Sequence, residues 1–482
     1  MDSNLVLVIS FVVYSAGIVA FGLYSTRLRK KTVDDFVLAN RELGPWASSL
    51  SASASSESGW VMLGLVGEAY LFGLSAIWII PGIAAGYLFN WFVLAERLRR
   101  STSKSGAVTL TQFIAHRFGA GSVALKLVPV LVITLAMLGY VAAQMNAAGK
   151  AFEATFDLDY SWGVLVGAGI ILTYTISGGF RAICWTDIIQ ASFMVVALIG
   201  MPIITFGALG DWGTISTALE AADPGLLGWA AGKGGMIGLG FVIGLLGIGL
   251  GYPGQPHVLS RFMAAKDKAT VGKAGWIAMG WFILVYIGAI CFGIFARAYF
   301  GDLADPEQAL PIACNQFLPP VLAGFVIAAI VSAICSTADS QLIVVSSTIS
   351  RDLVPLLGSR SRDYLATVRW DRWVLIALAL LSILFALTEN RVIFEFVLYA
   401  WSALGAAFGP VVILGLLWKR ATKAGALAGM LTGLIVTAIW RNTPALKSHL
   451  YELVPAFVLA FLAVWLVSLL TRPAADAELR EG

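Results

Sequence analysis

The stretch Ser51-Ala-Ser-Ala-Ser-Ser-Glu-Ser-Gly59 decides the fold, because it lies inside an apolar segment that runs from about Gly44 to Leu74. It contains five serines, a glutamate and a glycine. A charged side chain at bilayer depth costs at least about 2.5 kcal/mol, so it usually faces the protein interior and serves a function. We therefore predict a membrane helix that is broken here, with serine hydroxyls and free backbone carbonyls open to a small ion or solute.

The composition is that of a membrane protein. The chain has 482 residues, of which 59% are hydrophobic and 12% charged, and its mean hydropathy is +0.85. Soluble proteins carry about 25% charged residues. We therefore predict an all-α polytopic protein whose surroundings are the lipid bilayer.

Several functional classes are disfavoured by what the sequence contains. The four cysteines and three histidines are scattered, without a disulfide or metal-binding pattern. No nucleotide-binding, hydrolase or metalloprotease motif is present, so we predict neither an enzyme nor a cofactor. The net charge of +4 is modest and indicates no nucleic-acid partner. No obligatory protein partner is evident.

About thirteen apolar segments are long enough to cross a bilayer, at ~20 residues each. They are 4–25, 45–74, 76–96, 125–148, 161–179, 185–207, 235–260, 274–299, 319–347, 373–388, 394–418, 424–441 and 453–471. Lysine and arginine concentrate in alternate loops, such as 27–41 and 351–372. The positive-inside rule then places the N-terminus outside and the C-terminus in the cytoplasm.

A second interrupted segment is Gly247-Ile-Gly-Leu-Gly-Tyr-Pro-Gly-Gln-Pro256, with four glycines and two prolines in an apolar run. Proline removes a backbone donor, and glycine weakens a helix. The two breaks lie five segments apart, so their segments cross the membrane in opposite directions. This arrangement favours an inverted-repeat transporter with its site between the repeats. The alternative is that these glycines and prolines only serve helix packing.

The ninth segment has a polar face. At 100° per residue, Ala333, Ser336, Thr337 and Ser340 lie on one side of a helix. Hydroxyls in this pattern can complete the oxygen shell of a hard cation. The alternative is that they hydrogen-bond back to their own helix. Asp339 lies off this face, nearer the cytoplasm, where an interfacial gate or helix-end role is as well supported as ligation.

Two further polar side chains lie in predicted segments. Asp187 opens the sixth segment, as a helix-end acid favoured by the dipole, or as a relay or second cation ligand on the cytoplasmic side. Tyr140 lies mid-segment beside Gln144. A buried phenol needs a partner, and a solute is one candidate beside ordinary packing.

The sequence resembles the sodium/solute symporter family over about residues 5–470, and within it the bacterial sodium/proline symporters. The motifs that carry the resemblance are Asp34-Asp-Phe, Asn40-Arg-Glu-Leu-Gly-Pro45, Ser58-Gly-Trp60, Trp185-Thr-Asp187, Gly251-Tyr-Pro-Gly-Gln-Pro-His257, Arg261-Phe-Met-Ala, Ser336-Thr337 with Gln341, and Ala400-Trp-Ser-Ala-Leu-Gly-Ala-Ala-Phe-Gly-Pro410. The resemblance implies a bacterial inner-membrane protein with a five-plus-five inverted-repeat core. On this interpretation, 1–482 is a single transporter domain. It divides into a leading helix (4–25), a first repeat (45–207), an inverted second repeat (235–418) and two trailing helices (424–471).

The resemblance also implies site residues. A sodium ion would lie between the backbone carbonyls of Ala54, Glu57 and Ala333 and the hydroxyls of Ser336 and Thr337. The family's proline pocket corresponds here to Tyr140, Tyr252 and Pro256, with Ile248 at its wall, and the first break and its neighbour add Ser58, Gly59 and Gln144. Coupling or gating would involve Arg41, Ser56, Asp187 and Asp339.

Two positions depart from the family's proline carriers, which place an aspartate at Ser56 and a tryptophan at Ile248. We expect a secondary active symporter that imports a small solute, with L-proline favoured, driven by sodium. Because of the departures, proton coupling through Glu57 or Asp187 stays open, as do other small amino acids, betaines and monocarboxylates. Glu57 is a candidate to replace the missing carboxylate, but neighbours on a helix point about 100° apart. A solute sensor built on the transporter fold is the alternative of another class.

Overall fold

The computed structural model describes residues 3–25, 32–357, 368–388 and 392–472. Parts of the two basic loops used above for orientation, at 26–31 and 358–367, lie outside the described residues. Within the described ranges the chain is helical, and the one β-type contact is an isolated bridge between Leu43 and Ala265.

The long helices, and the shorter ones that complete the core, are α1 (Ser3–Ser25), α2 (Pro45–Gly59), α3 (Ile79–Leu88), α4 (Ala124–Phe156), α5 (Tyr160–Leu209), α6 (Gly235–Gly247), α7 (Pro256–Ala264), α8 (Lys268–Phe300), α9 (Pro320–Thr348), α10 (Val368–Ala386), α11 (Ile393–Leu417), α12 (Lys423–Arg441) and α13 (Leu453–Leu470). Short helices in the connections and at helix ends include Val33–Leu38, Val66–Phe72, Ala95–Ser105, Leu110–Phe118, Trp212–Ala222, Ala309–Phe317 and Pro444–Lys447.

Among the described residues, 10 helical stretches are long and apolar enough to cross a membrane. One of them, Pro45–Ser105, spans 61 residues and contains two of the predicted segments. The predicted number of about thirteen spans stays a prediction, whereas the predicted all-α membrane architecture is confirmed.

Glycines with positive φ interrupt the two longest helical runs. Gly73 (φ 58°) follows Phe72, and a Cβ there would lie 2.1 Å from the carbonyl oxygen of Leu226. Gly179 (φ 66°, ψ −175°) divides α5, and a Cβ there would lie 2.7 Å from the Phe36 ring. L-residues rarely adopt these angles, so the interruptions at Gly73 and Gly179 depend on glycine.

The polar stretch lies at the centre of the molecule. Every residue of α2 from Ala47 to Gly59 is buried, and the helix packs against α5, α7, α8 and α9. Large apolar side chains on the outer helices are exposed instead, among them Leu135 (67%), Val196 (69%) and Ile203 (65%). A bilayer solvates such faces, so the serines of α2 occupy the protein interior and the oily side chains face lipid.

Both predicted breaks are present, but the first is narrower than the sequence indicated. Only Ser58 (φ 27°, ψ −169°) leaves helical geometry between Ser51 and Gly59. The chain then continues through a π-helical turn, Trp60–Leu65. At the second break α6 ends at Gly247, residues Ile248–Gly254 form a 3₁₀ helix, and an extended Gln255 leads into α7.

Candidate functional site

A seam of oxygen atoms joins α2 to α9. The Ser336 hydroxyl lies 3.0 Å from the carbonyl oxygens of both Ala54 and Ala333. The Thr337 hydroxyl lies 3.3 Å from the same Ala54 oxygen and 3.0 Å from that of Ser55. Of these residues only Ser55 lies outside the predicted sodium set, and Ser336 and Thr337 are fully buried. The Ser336 hydroxyl has one proton, which it can donate to its own helix, as in the packing alternative, or across the seam.

The structure therefore brings four of the five predicted sodium ligands together: Ala54, Ala333, Ser336 and Thr337. Two carbonyl and two hydroxyl oxygens form a donor set suited to a hard cation. The fifth predicted ligand, the Glu57 carbonyl, accepts a hydrogen bond from the backbone N–H of Trp60, just past the break.

The Glu57 side chain bonds away from α9. One carboxylate oxygen accepts hydrogen bonds from Ser56 (3.1 Å), Tyr87 (2.5 Å) and Tyr252 (2.9 Å), and the other accepts from Tyr286. These partners lie on α2, on α3, in the second break and on α8. Ser56 also lies 3.0 Å from the Ser53 carbonyl. Ser56, where the family resemblance leads one to expect an aspartate, is thus hydrogen-bonded to Glu57, the candidate to replace that carboxylate.

A second group of predicted residues meets on the α4 side of the first break. The backbone N–H of Gly59 donates to Oε1 of Gln144 at 3.1 Å, and Nε2 of Gln144 lies 3.4 Å from the Ser58 hydroxyl. The Tyr140 hydroxyl is buried and makes no hydrogen bond of ordinary geometry within the described part of the chain. Gly59 has no room for a side chain, since a Cβ would lie 2.9 Å from that of Ala147.

The remaining predicted solute residues do not join this group. Ile248 lines a cavity of about 310 Å³ together with Glu68, Glu395 and Tyr451, and its carbonyl accepts from the Trp401 indole at 3.0 Å. Pro256 begins α7 and lines a different, smaller cavity. Tyr252 meets Glu57, as described above. The predicted pocket is therefore divided in this structure.

A buried polar cluster lies at the other end of α2. The Ser51 hydroxyl donates to Asp187 at 2.5 Å, and the Arg261 guanidinium lies 3.5 Å from the same carboxylate oxygen. Arg261 also donates to Ser340 at 2.5 Å, and Ser340 donates to Asp339 at 3.1 Å. All five side chains are fully buried. The predicted gating residues Asp187 and Asp339 thus belong to one cluster that links α2, α5, α7 and α9.

The helix-end interpretation of Asp187 is wrong. The second half of α5 begins at Gly179, so Asp187 lies about two turns inside the helix. The dipole effect is confined to the first turn. The Asp187 carboxylate is held by Ser51 and Arg261 instead. The start of the sixth segment, predicted at 185, lies too far along the chain, because Gly179 rather than a charged residue interrupts the helix.

Arg41 lies in the connection before α2, apart from this cluster. Its guanidinium donates to the carbonyl oxygens of Met263 (2.9 Å), Thr102 (3.2 Å) and Ala107 (2.7 Å). Burial lowers the pKa of Arg41 from its ordinary value. One cation therefore holds three segments together at this end of the molecule.

Sequence comparison identifies the family. A model of the Sodium:solute symporter family matches residues 36–433, which is most of the chain. The chain belongs to this family. It is a transporter, and not an enzyme.

The relatives of this symporter include bacterial proline carriers. The high-affinity proline transporter PutP of Bacillus subtilis (strain 168) is 38% identical over 459 residues, which cover 94% of this chain and 96% of the relative. The sodium/proline symporter of Escherichia coli (strain K12) is 37% identical over 485 residues, covering 96% and 93%. The symporter is thus a multi-pass protein of a bacterial membrane.

Solved structures share its fold. A Na⁺-coupled sialic acid symporter in a substrate-bound, outward-open state matches with a TM-score of 0.81 at 20% identity, over 97% of this chain and 98% of that one. Mhp1, a nucleobase-cation-symport-1 family transporter, matches with a TM-score of 0.56 at 15% identity, covering 92% and 97%. These matches confirm the predicted transporter fold. The division into repeats at 45–207 and 235–418 stays a prediction.

Sequence reasoning missed several residues of the symporter's interior. Tyr87 and Tyr286 bond Glu57, and Arg261 binds Asp187, yet none was assigned a role. The signal was available for the tyrosines, since a phenol inside an apolar helix needs a polar partner. For Arg261 it was the charge itself, two turns after the second break.

Proposed function

We propose that this symporter imports L-proline together with sodium by alternating access. The observation that carries the proposal is the seam in which Ser336 and Thr337 approach the Ala54 carbonyl across two helices. A sodium ion bound there would replace the hydroxyl–carbonyl bonds with ion contacts and hold α2 against α9. The carbonyls of Glu57 and Ala333 would complete the shell. Proline is the solute in the names of the relatives cited above.

We place the solute at the first break. The Gly59 N–H and the Tyr140 O–H are two donors suited to a carboxylate, the first now satisfied by Gln144 and the second without a partner of ordinary geometry. Backbone donors released at a helix break hold anionic groups in other transporters. Other small amino acids stay open as substrates.

The two ends of α2 differ in a way that supports alternating access. The cavity of about 310 Å³ reaches Ile248 from the end that the charge pattern predicts to be outside. Buried bonds of Arg261 and Asp187 close the opposite end. On this proposal the N-terminus lies outside the inner membrane and the C-terminus in the cytoplasm. Sodium entry would then gain about 2.3 kcal/mol per charge per 100 mV of membrane potential.

Uptake into proteoliposomes tests the proposal. Labelled proline is offered with an inward sodium gradient, with an inward proton gradient, and with neither. We expect accumulation above the external concentration under the sodium gradient alone. Accumulation under the proton gradient alone would refute sodium coupling. Absence of proline accumulation under both gradients would refute the substrate, and competition by betaines and monocarboxylates would then find the solute class.

A further inference from the structure

A small cavity lies beside Ser56, outside the seam and the solute group. It has about 10 Å³ of room for the centre of a water molecule. Its polar wall residues are Ser53, Ser56, Tyr87, Asn90 and Tyr252, and its apolar ones are Ala52, Trp91, Val258 and Phe262. Such a volume holds about one water molecule. All five polar residues are at most 3% exposed. The cavity can therefore accept a single small particle and no amino acid.

Asn90 is the side chain that the fold leaves unexplained. It is 1% exposed, and neither its amide nitrogen nor its amide oxygen has a hydrogen-bond partner within residues 3–25, 32–357, 368–388 and 392–472. Burying an unpaired amide costs about 1–3 kcal/mol on the scale of protein mutations. Since nearly all buried polar groups are paired, an unpaired amide at a cavity wall indicates a bound water molecule or ion.

The local backbone also departs from regular geometry at this point. Residues Phe89–Leu94 form a π-helical turn directly after α3. Such turns are rare and recur at functional sites. The departure and the unpaired amide occur in the same residue, Asn90, although neither observation depends on the other.

The Glu57 carboxyl group adjoins the cavity. Glu57 is fully buried, and among the described residues no lysine or arginine forms an ion pair with it. Three groups of the cavity wall, Ser56, Tyr87 and Tyr252, donate to its carboxylate. A hydroxyl that donates its proton to a carboxylate directs its lone pairs elsewhere and is polarised by the negative charge. An unpaired buried carboxylate is costly, and a cation in the neighbouring cavity would offset that cost.

We propose that this cavity is a second cation site, which binds one sodium ion independently of the seam between α2 and α9. Its ligands are the amide oxygen of Asn90 and hydroxyl oxygens of the wall, with Glu57 as the counter-charge behind them. One carboxylate and neutral oxygens suit a monovalent ion, whereas Ca²⁺ takes 6–8 oxygen ligands. The proposal goes beyond proline import and does not depend on the identity of the solute.

Equilibrium binding of ²²Na⁺ to the purified full-length protein in detergent, without solute, tests the proposal. At a sodium concentration that just saturates the wild type, we expect two sodium ions per protein, one after Asn90→Leu, one after Ser336→Ala, and two again with the oxygen-retaining Asn90→Asp. One ion per wild-type protein, or an unchanged count in Asn90→Leu, would overturn it. Leucine has the branching and the number of side-chain heavy atoms of asparagine but a larger volume, so thermal unfolding of each variant checks that it folds.

Glu57→Gln provides a second variant if Asn90→Leu does not fold. It keeps the size of the side chain and removes the counter-charge, so we expect the affinity of one of the two sodium ions to fall at least about tenfold. Equal affinities in this variant and the wild type would overturn the role of Glu57 and with it the site. Proline uptake is measured separately. Sodium-driven uptake with one bound ion refutes only the second site, and two bound ions without uptake refute only the proposed function.

Discussion

Replacing Ser336 by alanine tests the seam at its central atom. The hydroxyl oxygen lies 3.0 Å from two carbonyl oxygens, so a cation held by Ala54 and Ala333 would also touch Ser336. A polar contact to a charged group contributes about 1.5–3 kcal/mol. At about 1.4 kcal/mol per factor of ten, the sodium concentration for half-maximal uptake should rise roughly 10- to 150-fold. The fold should lose only about 1 kcal/mol, the net value of an ordinary hydrogen bond.

The assay is initial uptake of labelled proline into proteoliposomes as a function of external sodium, at saturating proline. Ser346→Ala is the matched control. Ser346 lies on the same helix, is fully buried, and donates to its own helix at the Ile343 carbonyl, 3.1 Å away. Its sodium dependence should equal that of the wild type. The reasoning is refuted if folded Ser336→Ala needs no more than about three times the wild-type sodium concentration, or if both variants shift equally.

Two further substitutions test other parts of the site. Gly59→Ala should reduce proline affinity at least about tenfold, because the new Cβ would press on α4 and α9 at 2.9–3.0 Å and overpacking costs about 1–3 kcal/mol. Gly139→Ala is the control, since a Cβ at Gly139 would meet nothing within 4 Å. It should bind proline normally in the same equilibrium assay. Arg41→Lys should weaken closure at its end of the molecule, since one ammonium cannot replace a fork that reaches three carbonyls. We expect faster labelling of an engineered cysteine from that side. Arg97→Lys is the control, because Arg97 bonds a carbonyl of its own helix, and equal labelling of both variants would contradict a gating role.

Much of the architecture could be predicted from hydropathy and from the two interruptions. The apolar segments predicted helices because a bilayer leaves no other way to satisfy the backbone within one segment. The glycines and prolines at 247–256 located the second break, because they weaken a helix wherever it is placed. The first break was located to the correct stretch but not to Ser58, since serines are compatible with a buried helix when neighbouring helices bond them.

The site was predicted in part for the same reason. Ala333, Ser336 and Thr337 lie on one helix, so their common face follows from helical periodicity. Their approach to Ala54, which lies some 280 positions earlier in the chain, entered only through family resemblance. The helix-end interpretation of Asp187 failed because the sequence did not show that the helix is interrupted at Gly179. No local pattern links Asp187 to Arg261, whose contact requires two helices to meet.

The sequence by itself determined that this is a helical membrane protein, that its polar residues collect in α2 and α9, and that two helices are interrupted. These properties depend on the cost of placing charge and unpaired backbone in lipid, which acts on each segment separately. Only the tertiary structure decided where the Glu57 carboxylate points, because one turn of a buried helix offers several neighbours. It places Glu57 among three tyrosines from three other segments, and it leaves Asn90 unpaired at a cavity beside them. Pairing of that kind is set by how whole helices pack, and no single stretch of sequence encodes it.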